Sequence, residues 1–133
     1  LRVRKRKNNY MNKKDFSIIK RAKSLTHAVR GISIILKTQH NFWLHIFSAI
    51  VVFVLGLYYQ IQTVEWISII FSIGFVLISE AINTAIEIDI DLTSPNYHPY
   101  AKDTKDVAAG AVLLSGIVSL IVGLVIFIPK IFS

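Results

Sequence analysis

The stretch Trp66 to Asp91, WISIIFSIGFVLISEAINTAIEIDID, decides how this chain folds. Its first half, residues 66–78, is interrupted only by Ser and Gly and has the character of a membrane-buried helix. Its second half, Ser79 to Asp91, is polar but contains no Gly or Pro, so one helix carries both halves. At about 100° per residue, Glu80, Asn83, Thr84, Glu87 and Asp91 fall within roughly 60° of one direction, while Asp89 points to the opposite side. Ionisable groups on a membrane helix are expensive to hold there and face a bundle interior where they have work to do.

Working outward, the 133 residues allow one domain, and 53% hydrophobic residues with a mean hydropathy of +0.55 exceed what a soluble chain of this size carries. The class is a small all-α integral membrane protein. Cysteine is absent, which excludes disulfides and thiolate metal sites. The net charge of +7 is uneven: residues 1–40 hold twelve Lys/Arg against Asp15 alone, and the remainder holds three Lys against seven Asp/Glu. No helix-turn-helix or RNA-binding signature accompanies the basic segment, so positive-inside topology explains it better than nucleic acid does.

Residues 1–12 read as a basic disordered tail, and residues 1–10 also fit sequence upstream of a start at Met11. Over 13–38, apolar residues recur at three- and four-residue steps between Lys20, Arg21, Lys23, Arg30 and Lys37, the pattern of an amphipathic surface helix lying on anionic lipid headgroups. Three spans are expected over 42–59, 64–91 and 103–128. Tyr58 and Tyr59 anchor the first, and the connection after it lacks Lys and Arg and is placed outside. The second is too long for a hydrocarbon core of about 30 Å. Counted from Trp66, Glu80 lies about 21 Å along and Glu87 about 31 Å, so Glu80 sits in the inner leaflet and Glu87 near the cytoplasmic surface. The loop 93–100, with two prolines, and Lys102 and Lys105 belong inside; the third span ends at Pro129-Lys130.

The cytoplasmic end therefore gathers Glu80, Asn83, Glu87 and Asp91 from one helix with Lys102, Asp103, Lys105 and Asp106 from the next. Carboxylates and an amide suit hard Mg²⁺, and lysine suits phosphate oxygens. No Walker loop or kinase glycine-rich loop is present. The set points to phosphoryl transfer between a soluble nucleotide and a lipid hydroxyl.

Two motifs, Glu80-Ala-Ile-Asn83-Thr84-Ala85-Ile86-Glu87-x-x-x-Asp91 and Lys105-Asp106-x-Ala108-Ala-Gly-Ala111-Val112-Leu113, joined by a loop with Tyr97-His98, carry a resemblance over about Met11 to Pro129. The chain resembles the bacterial membrane diacylglycerol kinase and undecaprenol kinase family. The resemblance implies three membrane helices plus a surface helix, a homotrimer with sites between subunits, and location in the bacterial inner membrane with the N-terminus and site cytoplasmic. It implies ATP as co-substrate and Mg²⁺ as cofactor, with a diacylglycerol or undecaprenol acceptor. By matching position, Glu87 would coordinate Mg²⁺, Asn83 would orient nucleotide or acceptor, and Glu80 would be the base for the lipid hydroxyl. Lys105 would hold ATP phosphates, Asp106 would bind nucleotide or stabilise the site, and Asp91 would help at the same end. Members often carry a glutamate where this chain has Gln39, which bears on a second metal contact. Thr104 replaces a commonly small apolar residue, and Asp89 is expected to be a solvated carboxylate. The alternative function is a catalytically silent membrane scaffold or small transport subunit of the same fold.

Overall fold

The computed structural model describes the backbone of residues 18–132 and the side chains of residues 21–132. The tail expected over 1–12 and the first part, 13–17, of the expected surface helix lie outside the described residues. Four helices follow in order: α1 Ile18–Thr38, α2 His40–Tyr58, α3 Thr63–Thr93 and α4 Pro99–Ile131. The last three are long and apolar enough to cross a membrane.

Each boundary has a local cause. The Gln62 side chain accepts the Glu65 backbone N–H while the Glu65 carboxylate accepts the Gln62 backbone N–H at 2.7 Å, a reciprocal cap that starts α3. The turn before it places Gln60 at φ 49°, and the Ile61 N–H returns to the Gly56 carbonyl at 3.1 Å. Helix α4 begins at Pro99, earlier than the expected 103. Proline suits the first helical turn because its fixed φ is already helical and its missing N–H has no partner there. Helix α4 also runs through Pro129 to Ile131, so that proline falls within the final turn instead of ending it.

Helices α3 and α4 pair antiparallel along their whole length. Lys105 meets Asp91 at one end, the Ser119 hydroxyl donates to the Ser72 carbonyl at 3.1 Å midway, and Lys130 meets Glu65 at 3.1 Å at the other end. Helix α2 closes against α3 through Gly56, where an added Cβ would lie 2.7 Å from the Trp66 ring. Ile61, Ile69, Ile126 and Phe127 form the buried apolar cluster at this end, with Val52, Tyr59, Trp66, Ile73 and Val122 packed on it. At the opposite end the Trp43 indole donates to the Leu36 carbonyl at 2.9 Å and braces the corner between α1 and α2. Antiparallel α2 and α3 thus bring this corner beside the polar half of α3.

Candidate active site

The polar half of α3 presents its side chains as helical phase dictates. Glu80 and Asn83 are buried, at 3% and 7% exposure, and Thr84 is buried with them. Glu87 is half-buried, and Asp89 and Asp91 are exposed. Thr84 donates its hydroxyl to the Glu80 carbonyl at 2.9 Å, so its polar group is satisfied within the helix. Among the described residues the Asp89 side chain makes no hydrogen bond or ion pair; its backbone carbonyl accepts the Thr93 hydroxyl at 2.8 Å.

Glu87 is the centre of the contacts. Asn83, one turn back, donates its Nδ2 to Glu87 Oε1 at 3.1 Å. Gln39, at the start of α2, donates its Nε2 to Glu87 Oε2 at 3.2 Å. Both carboxylate oxygens are thereby held by neutral amides, which fixes the direction of the group. The remaining polar atom of Asn83, Oδ1, is buried without a hydrogen-bond partner. A buried acceptor left unmatched costs about 1–3 kcal/mol, so it is a place where a ligand restores a lost interaction.

Helix α4 supplies the cationic group. Its antiparallel run brings Lys105 to Asp91, with Nζ 2.5 Å from Oδ1. Asp106, the neighbour of Lys105, is exposed, and its side chain makes no hydrogen bond or ion pair among the described residues. Glu80 likewise has no side-chain hydrogen bond there. Six positions singled out by sequence thus divide into two contact groups, Asn83 with Glu87 and Asp91 with Lys105, and two isolated carboxylates, Glu80 and Asp106. Between α3 and α4 an open groove of about 510 Å³ runs past Asn83, walled by Ile82, Ile86 and Val107 and rimmed by Tyr100, Asp103 and Thr104.

The direct Gln39–Glu87 contact was not readable from sequence. A pair 48 positions apart leaves no periodic signal, and Gln39 stood out only through the resemblance, whose members often carry a glutamate there. The part of Tyr100 in the groove rim has no sequence signal beyond its place after Pro99.

Mg²⁺ can be tested against these donors. The Glu87 carboxylate and the unpartnered Asn83 Oδ1 are hard oxygen ligands of the type the ion selects. No group of three or more His, Cys, Asp or Glu able to hold a metal exists among the described residues. These donors fit an ion that keeps several waters and takes phosphate oxygens as its other ligands.

The sequence pattern of the family described as prokaryotic diacylglycerol kinase matches residues 26–127. This chain belongs to that family. The matched segment includes Gln39 and the whole of both contact groups. Among its relatives, the undecaprenol kinase of Bacillus subtilis is 43% identical over 108 residues, covering 81% of this chain and 88% of that protein. A diacylglycerol kinase of Synechocystis is 36% identical over 111 residues, covering 83% and 63%. A diacylglycerol kinase of Helicobacter pylori is 29% identical over 92 residues, covering 69% and 72%. None of these relatives favours a silent scaffold or transport subunit.

Proposed function

We propose that this membrane lipid kinase transfers the γ-phosphoryl group of Mg²⁺-bound ATP to the hydroxyl of a membrane polyprenol, with diacylglycerol as the second acceptor. Family membership supports the kinase reading. The greater identity and fuller coverage of the undecaprenol kinase supports the order of acceptors. The observation that carries the site is the Glu87 carboxylate held at both oxygens beside the unpartnered Asn83 Oδ1.

In this reading Glu87 and Asn83 hold Mg²⁺, which when bound neutralises phosphate charge. Lys105 contacts the phosphate oxygens, and Asp91 keeps its ammonium at the site before nucleotide arrives. Asp106, exposed beside Lys105, faces the nucleotide from the cytoplasmic side. The lipid oxygen attacks the γ-phosphorus, the bond from that phosphorus to the β–γ bridging oxygen breaks, and ADP leaves. The hydroxyl proton passes to Glu80, whose buried carboxylate has no competing donor among the described residues. Catalysis by this site is positioning and charge neutralisation, which is most of what phosphoryl transfer requires.

The same reading places α1 on anionic headgroups of the bacterial inner membrane. It puts the N-terminus and the site on the cytoplasmic side, and assembles the chain as a homotrimer. The uneven distribution of Lys and Arg supports the orientation. Labelled ATP supplied with undecaprenol and diacylglycerol side by side tests the function. Label is expected in both lipids, with undecaprenol faster; transfer to neither by folded protein overturns the reading.

A further inference from the structure

Gln39 is the N-cap residue of α2 but makes no side-chain cap. Its amide reaches across to α3 and donates to Glu87 Oε2 at 3.2 Å. The backbone N–H of Gln39 meanwhile bonds to the Ile35 carbonyl at 2.9 Å, so the residue is anchored to the end of α1. We propose that Gln39 is a positioning residue that holds Glu87 with a neutral amide, keeps the site at a single carboxylate, and makes divalent-cation binding depend on nucleotide phosphates. This rests on the reading of Glu87 as the metal ligand.

With Asn83 on Oε1 and Gln39 on Oε2, the Glu87 carboxylate has a donor at each oxygen before any cation is present. It therefore keeps its direction without metal. Of the other carboxylates on the same helix face, Asp91 is occupied by Lys105, and Glu80 lies two turns deeper in α3. A lone carboxylate gives a hydrated Mg²⁺ little reason to lose water, because the ion dehydrates reluctantly and is bound through one or two carboxylates together with phosphates. A nucleotide triphosphate brings the missing negative oxygens.

A glutamate at position 39 would reverse this. Two carboxylates would then face each other at the distance now spanned by an amide hydrogen bond, and like charges that close favour either a shared proton or a cation between them. The prediction is specific to the chemistry of the side chain, since glutamine and glutamate have nearly the same shape.

The test is Mn²⁺ titration of the full chain in lipid nanodiscs, followed by electron paramagnetic resonance, with and without a non-hydrolysable ATP analogue. The unsubstituted protein is expected to bind Mn²⁺ at least tenfold more tightly with the analogue than without it. Gln39→Glu gains binding without nucleotide, tighter by tenfold or more. Gln39→Met, which fills the same space without a donor, weakens analogue-dependent binding several-fold, an effect that mere space-filling would not produce. Equal Mn²⁺ binding with and without analogue, or no change in Gln39→Glu with helicity intact, overturns the proposal. Glu87→Gln separates the two readings: analogue-dependent binding that survives it removes Glu87 as metal ligand. If that binding is lost while both Gln39 variants behave as the unsubstituted protein, the ligand assignment stands and the role of Gln39 falls.

Discussion

Glu87 and Asp89 are two residues apart and chemically alike, yet among the described residues only Glu87 is held by other side chains. Glu87→Gln is therefore expected to lower kcat/KM by about 10²-fold or more, the scale of losing a charge-stabilising group, while Asp89→Asn stays within about twofold. Steady-state kinetics on both variants, with circular dichroism to confirm folding, checks the pair. The two members of the Asp91–Lys105 contact should also differ. An exposed ion pair is worth about 0.2–1 kcal/mol, so Asp91→Asn is expected to raise the KM for ATP by about two- to fivefold. Lys105→Met removes a charged donor worth about 1.5–3 kcal/mol and is expected to raise it by more than tenfold. Nucleotide titrations of initial rate distinguish the two magnitudes. The phase of this stripe was legible because helical rotation alone separates Glu87 from Asp89. The hold of Gln39 on Glu87 was not, because it depends on where the α1–α2 corner lands on α3.

At the scale of elements, apolar length located the three long helices able to cross a membrane, while their ends shifted by a few residues where capping and proline geometry decide. Pro99 was read as part of the loop and instead opens α4, and Pro129 was read as a stop and instead lies inside the last turn. Lys130, which in the sequence marks only the end of the third expected span, pairs with Glu65, the same residue that caps α3. Gly56 was not singled out in the sequence, although it lets α2 approach Trp66, whose ring also packs 5.1 Å from Phe53. Gly56→Ala would place a methyl group 2.7 Å from a ring carbon and is expected to destabilise the α2–α3 hairpin by about 1–3 kcal/mol. The measurement is the midpoint of thermal unfolding in detergent, which should fall. An unchanged midpoint would show that the indole moves freely.

For the whole molecule, apolar side chains such as Phe71, Leu113, Leu120 and Val125 are exposed along the three long helices, the surface expected where lipid or further copies of the chain cover them. The orientation proposed here has a direct check, because the chain has no cysteine. A single Asn96→Cys, in the α3–α4 loop, is expected to react with an impermeant thiol reagent only from the cytoplasmic side. Phe132→Cys, beyond the end of α4, is expected to react only from the outside. Labelling of both from one side would refute three crossings. The most direct measurement is Mg²⁺-dependent transfer from labelled ATP to undecaprenol and diacylglycerol, run with the unsubstituted chain and with Glu87→Gln. Labelled lipid phosphate is expected from the former, lost on removing Mg²⁺, and essentially none from the latter. Equal transfer by both proteins, or no transfer by the folded unsubstituted chain, would contradict it.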